Sequence, residues 1–154
     1  PSIQPVINKQ LTLLTASYGM RIHPFYKTLQ SHQGVDYTIP EGSRVFATAD
    51  GVVRDAAQRN STQGQTVVID HGNGYETSYS HLSKINVRKG QTVRRGDIIA
   101  LSGDTGLSLA PHLHYEVRLD GMRVDPIHYF FMELTPTEYQ RLMRIAQTGM
   151  QSFD

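Results

Sequence analysis

The sequence predicts a mainly β domain, a compact antiparallel sheet followed by a C-terminal α-helix. Three observations carry this expectation. The 13 Gly and 7 Pro are dispersed along the chain rather than pooled in a linker. They punctuate short runs rich in β-branched and aromatic residues, which is the pattern of antiparallel strands. Helical spacing of apolar residues is confined to the last segment.

The strands follow in order. Residues 45–47 and 51–53 flank a turn at Asp50, and residues 65–70 read as a strand. His71-Gly72-Asn73-Gly74 reads as a turn, with 75–80 as the returning strand. Ile98–Ser102 and His112–Leu119 complete the set, and Asp120-Gly121 marks another tight turn. The helix opens with Thr135 as N-cap, Pro136 at its first position and Glu138 three residues after the cap. Tyr139, Leu142, Met143 and Ala146 continue it, and Gly149 ends it. The expected organisation is an arm or linker remnant over 1–14, one domain over 15–131, and a helix with a frayed tail over 132–154. No internal repeat or low-complexity tract interrupts it.

Composition narrows the function. A chain of 154 residues is expected to form one domain. Fifteen Lys and Arg against 14 Asp and Glu leave a net charge of +1, which argues against a strongly cationic nucleic-acid binder. No apolar run approaches the roughly 18 residues of a membrane span. The absence of cysteine excludes a disulfide scaffold, a thiolate zinc site and a cysteine nucleophile. The chain opens at Pro1, without initiator Met or signal peptide, so any anchor or targeting segment is expected outside it.

Chemistry then rests on seven histidines, at positions 23, 32, 71, 81, 112, 114 and 128. His32-Gln33-Gly34-Val35-Asp36 places a His and an Asp four apart. In one strand, positions 32, 34 and 36 would face the same way, and Gly34 would leave the space above the backbone open. Imidazole and carboxylate are zinc ligands. His112-Leu113-His114 places two imidazoles on one strand face, one suited to binding metal and one to handling protons. Tyr75, Tyr79 and His81 share parity, so His81 is expected to project beside the same site. Three protein ligands and one open position is the pattern of catalytic zinc rather than of a closed structural site.

At these residues the sequence resembles the lysostaphin/LytM-type zinc metalloendopeptidases, which cut peptide cross-links of bacterial cell walls. The resemblance runs from about Ala16 to Phe131. The matching blocks, in order, begin with Tyr18-Gly19-Met20-Arg21-Ile22-His23-Pro24, then His32-Gln33-Gly34-Val35-Asp36, Pro40-Glu41-Gly42 leading to Val45, and Ala49-Asp50-Gly51-Val52-Val53. His71-Gly72-Asn73-Gly74-Tyr75, Tyr79-Ser80-His81-Leu82, Gly103-Asp104-Thr105-Gly106 and Pro111-His112-Leu113-His114-Tyr115-Glu116-Val117 follow. So many ordered matches are far more specific than any single motif.

The resemblance implies a zinc ion held by His32, Asp36 and His114, with His81 and His112 as catalytic histidines that do not bind it. It implies an antiparallel sheet of the duplicated hybrid motif type, crossed by a groove with the zinc on its floor. It implies peptidoglycan peptides as substrate and a location outside the cytoplasmic membrane, in the periplasm or at the cell surface. Tyr26, six residues before His32, matches a position where relatives can carry a tyrosine near the substrate. Where the family often has Ser-Thr before the Pro-His segment, this chain has Ser108-Leu109, a departure at a groove wall.

Two rival functions stand beside the endopeptidase. One is a silent or autoinhibited wall-binding module that activates other hydrolases, but silent relatives typically lack one or more of the five site residues, and all five are present here. The other is a structural zinc domain, in which His81 and His112 would have no role. Lys84, Arg88, Lys89, Arg94 and Arg95 read as a solvated hairpin rim, or as an attraction for an anionic wall polymer that salt would weaken. Arg21 and His23 read as structural, His71 as serving its turn and His128 as packing. Which peptide bond is cut is left open by the sequence.

Overall fold

The structure is a computed structural model. It describes residues 2–7, 14–16, 19–22, 29–32, 34–60, 62–106, 108, 110–126 and 137, and gives the backbone alone for 14–16, 19–22, 29–32, 59 and 60. Among the described residues twelve strands form. They are β1 (Leu14–Ala16), β2 (Gly19–Ile22), β3 (Leu29–His32), β4 (Val35–Thr38), β5 (Arg44–Phe46), β6 (Gly51–Asn60), β7 (Gly64–Gly72), β8 (Tyr75–Ile85), β9 (Thr92–Val93), β10 (Ile98–Ser102), β11 (His112–Leu119) and β12 (Met122–Val124).

One antiparallel sheet runs in the order β1-β4-β11-β8-β7-β6-β9, with β12 added to β11 and the β5–β10 pair joined through β8. Strands β2 and β3 form a separate two-stranded sheet. The turn residues account for two of the hairpins. Asn73-Gly74 joins β7 to β8 and Asp120-Gly121 joins β11 to β12, with all four residues at positive φ (53°, 84°, 52° and 82°). That conformation matches the right-handed twist of paired strands.

Strand β8 is shared. Its first half pairs with β11 from Tyr75 to Ser80, and its end pairs with β10 from Leu82 to Ile85. The changeover falls at His81, which has φ +63°. On the β7 side the register shifts by one between Gln65↔Leu82 and Val67↔Tyr79, so β8 carries an extra residue there. A bulge of this kind re-aims a side chain.

Alternation divides the main sheet into two faces. Leu113, Tyr115 and Val117 of β11, with Tyr79 of β8, point into a core shared with Tyr37, Ile69 and Ile99. The rings of Tyr79 and Tyr115 lie 5.3 Å apart. Burial raises the pKa of both hydroxyls, that of Tyr115 strongly, so both stay neutral and act as hydrogen-bonding groups. They join a chain of hydroxyls that runs from Tyr115 through Thr48, Tyr79 and Thr77 to His71 Nε2. His71 Nδ1 completes it by donating to the Asp50 carbonyl at 2.8 Å. His71 thus ties the Asp50 carbonyl, ahead of β6, to Thr77 of β8, rather than bonding within its own turn.

Several expectations change in detail. The segments around 45–47 and 51–53 do not pair with each other; β5 pairs with β10, while β6 pairs with β7 and β9. Residues at the start of the chain lie against the sheet. Ile3 N–H donates to the Thr48 carbonyl, Phe46 N–H donates to the Pro5 carbonyl, and Val6 is buried in the core. Of the expected C-terminal helix only Thr137 is described, helical and exposed; the rest falls outside the described residues. No helix among them is long and apolar enough to cross a membrane.

Candidate active site

The other face of the sheet carries the candidate chemistry. His114 stands at the centre of it. Its backbone pairs with Asp36 on β4 and with Ser80 on β8, so these side chains share one face. His114 Nδ1 lies 2.7 Å from Asp36 Oδ1, and His112 Nε2 lies 3.9 Å from the same oxygen. Asp36 and His112 are fully buried and His114 nearly so. The shared face of His112 and His114 is as the alternation requires, with Leu113 turned into the core.

His81 reaches this cluster by a different route from the one the sequence suggests. Tyr79 faces the core, so simple parity would send His81 there too. The bulge with positive φ at His81 turns its ring to the opposite side. The ring then lies 4.6 Å from that of His112 and 6.3 Å, edge-on, from that of His114.

Two main-chain carbonyls fix the outer histidines. His81 Nδ1 donates to the Thr105 carbonyl at 2.6 Å, and His112 Nδ1 donates to the Ala110 carbonyl at 2.8 Å. A carbonyl oxygen accepts only, so in each neutral ring the proton sits on Nδ1 and the basic lone pair on Nε2. Ser108 lies beside this contact, its Oγ 3.1 Å from His112 Nδ1 and donating to the Ala110 carbonyl. Thr105 is itself tied down, since its hydroxyl donates to the Leu82 carbonyl and accepts from Gln65 N–H.

His32 is the last residue of β3 and Asp36 the second of β4, and these strands belong to different sheets. The argument from a single continuous strand therefore does not hold for this pair. His32 is placed by its backbone, opposite Gly19. Gly34 has a different reason from the open space expected of it. A Cβ there would run into the Tyr115 carbonyl and approach Glu116 Cγ at 2.9 Å, so β11 passes directly over it. Tyr26, His23 and His128 lie outside the described residues. The basic residues Lys84, Arg88, Lys89, Arg94 and Arg95 are exposed.

Among the described residues no three His, Asp or Glu side chains are arranged to hold a metal by themselves. Asp36 and His114 supply a carboxylate and an imidazole facing each other across 2.7 Å, which are hard and borderline donors suited to zinc. Ser80 Oγ, buried on the same face, has no hydrogen-bond partner among the described residues. These features fit a metal completed by a third ligand, the place expected of His32. A cavity of about 940 Å³ opens on the opposite face, beside Thr77, Tyr115 and Val117, and touches none of Asp36, His81, His112 and His114.

Thr105 and Glu116, both within the motif blocks, support the site although the sequence reading gives them no role. Glu116 is buried, accepts from His114 Nε2 at 2.8 Å and from Arg123 Nε at 3.1 Å, and lies 3.6 Å from Arg118 Nη2. Burial alone would raise its pKa; the His114 hydrogen bond and charge, with Arg123, outweigh that and hold it down to about 2. The signal available in the sequence was its position two residues after His114, on the same strand face.

A family model described as Peptidase family M23 matches residues 30–126, more than half of the chain. The chain belongs to peptidase family M23. The M23 match contains all five site residues. The chain is 48% identical over 105 residues to the peptidoglycan DD-endopeptidase ShyA of Vibrio cholerae, covering 68% of this chain and 24% of that protein. Among solved structures it resembles a zinc-containing peptidase from Vibrio cholerae, with TM-score 0.74 and 36% identity over 88% of this chain and 41% of that one. It also resembles the catalytic domain of lysostaphin from Staphylococcus simulans, with TM-score 0.69 and 31% identity over 81% of this chain and 98% of that one. The mainly antiparallel architecture is thus that of the M23 domain. The chain spans about a quarter of the length of curated relatives such as these, 22–28%.

Proposed function

We propose that this domain is a zinc-dependent endopeptidase that hydrolyses peptide cross-links of bacterial peptidoglycan in the cell envelope, at the periplasmic or outer face. The observation that carries the reading is the buried cluster of Asp36, His114, His112 and His81, in which both outer histidines present the same tautomer. The relative's name, a peptidoglycan DD-endopeptidase, favours the D,D cross-link as the bond.

His32, Asp36 and His114 would hold the zinc. When bound, zinc would polarise the scissile carbonyl and lower the pKa of a water from about 15.7 toward about 7. The rest is the work of the chain. Asp36 and His114 lie buried, where charge interactions are strengthened by the exclusion of water. His81 and His112 offer Nε2 as proton acceptors because Thr105 and Ala110 hold their Nδ1 protons. One can take the proton of the attacking water at Nε2 and, now protonated there, return it to the leaving amine, while the other would meet the oxyanion in its imidazolium form. Such general acid–base help contributes roughly 10²–10⁴-fold.

The test is to measure zinc per chain and release of peptidoglycan fragments on the same samples. His32→Ala, Asp36→Ala and His114→Ala are expected to lose both. His81→Ala and His112→Ala are expected to keep zinc and lose activity. A folded His81 or His112 variant that is zinc-free would overturn the division of roles, and wild-type protein that binds zinc yet releases nothing from peptidoglycan would overturn the activity.

A further inference from the structure

We propose that Glu116 is a positioning residue for the metal site. Its carboxylate grips His114 from behind and fixes which ring nitrogen faces Asp36. The inference rests on the reading of His114 as a zinc ligand and deepens it.

The geometry is directional. Glu116 Oε2 lies 2.8 Å from His114 Nε2, while Asp36 Oδ1 lies 2.7 Å from Nδ1. The two carboxylates therefore address opposite edges of one imidazole. A carboxylate accepts and does not donate, so the Nε2 facing Glu116 carries a proton. Nδ1 faces Asp36 at the same range, and a metal held between Nδ1 and Asp36 would take the place of the Nδ1 proton while leaving the Nε2–Glu116 bond intact. The same argument keeps Glu116 from being a ligand itself, because the ring stands between it and the Nδ1 side. A metal-bound histidine whose other nitrogen donates to a carboxylate is a recurrent arrangement that orients the ring and raises its basicity.

Glu116 is in turn held from two sides. The β11–β12 hairpin pairs Arg118 with Arg123, and both guanidinium groups approach Oε1, at 3.6 Å and 3.1 Å. Beneath, Gly34 leaves room for the glutamate stem; a Cβ there would stand 2.9 Å from Cγ. This gives Gly34 a role in the site although it contributes no side chain. A hairpin distant in sequence from Asp36 is thereby coupled to the imidazole that faces it.

The competing explanation is that Glu116 only ties the hairpin together through its arginines. Zinc affinity separates the two. The whole chain is titrated with zinc in competition with a chromophoric chelator, and the unfolding midpoint of the metal-free protein is measured beside it. Glu116→Gln is expected to weaken zinc binding about 10–100-fold, the usual effect of losing such a partner. Glu116→Asp keeps the charge and the arginines but is ~1.5 Å shorter, the length of one carbon–carbon bond. It is expected to weaken zinc binding as well, and it serves as the test if the Gln variant does not fold. Wild-type zinc affinity in both folded Glu116 variants, with zinc lost in His114→Ala, would overturn the proposal alone. Wild-type zinc affinity in His114→Ala would overturn the ligand reading and the proposal with it.

Discussion

Replacing Thr105 by Val is expected to damage stability and activity together, although no site residue is touched. Valine matches threonine in shape, so the change removes a hydroxyl and opens no cavity. That hydroxyl donates to the Leu82 carbonyl at 2.7 Å and accepts from Gln65 N–H at 3.1 Å. Two partly buried hydrogen bonds at about 0.5–1.5 kcal/mol each give a loss of about 1–3 kcal/mol. At this chain length that corresponds to a fall in Tm of about 2–12 °C. The functional cost has another source. The Thr105 carbonyl fixes His81 Nδ1 at 2.6 Å, and the loop that carries it is anchored by the lost hydroxyl. A misplacement of about 1 Å at a catalytic group can cost about 10²-fold. Urea unfolding and fragment release from peptidoglycan measure the two effects, with zinc content expected to stay at the wild-type level. Thr105→Ser keeps the oxygen and should restore most of both. A valine variant within about 0.5 kcal/mol of wild type and fully active would refute the reasoning, since an ordinary surface substitution does no more.

Two further substitutions probe other parts of the structure. Gly34→Ala places a methyl group against the Tyr115 carbonyl and Glu116 Cγ, and overpacking of this kind costs about 1–3 kcal/mol; a chemical denaturation curve that overlays the wild type would contradict the close approach. His71 has its pKa lowered chiefly by burial, against the opposing pull of the Asp50 carbonyl and nearby carboxylates. The unfolded chain therefore binds a proton more readily than the folded one, so His71 costs nothing above its ordinary pKa of about 6.5 and stability is lost as pH falls below it. Unfolding free energies at pH 7.5 and 5.5 should differ less in His71→Gln than in the wild type, and an equal or larger difference would reverse the sign.

What the sequence shows clearly is whatever depends on local pattern. Ile98–Ser102 and His112–Leu119 are strands with the expected ends, because short runs with β-branched or aromatic residues lie there between turn signals. The shared face of His112 and His114 follows from the two-residue period of a strand. What depends on pairing is harder to read. The parity rule fails at His81 because an extra residue at positive φ interrupts β8, and nothing local announces it. His32 and Asp36 look like one strand but belong to two sheets. Glu116 and Thr105 acquire their roles only through folding: Arg123 reaches Glu116 across the β11–β12 hairpin, while Gly34 for Glu116, and His81 and Gln65 for Thr105, come from far along the chain. Residues 2–6 look like an arm because their anchoring bonds go to Phe46 and Thr48, more than 40 positions away.

Digestion of purified peptidoglycan by the wild-type chain, with and without a chelator, followed by mass spectrometry of the released fragments, weighs the whole reading at once. Zinc-dependent cleavage predicts new amine ends that disappear with the chelator, return when zinc is restored, and carry masses that mark a cut D,D cross-link. Fragment release that persists undiminished in chelator, or no release from protein carrying a full complement of zinc, would contradict it.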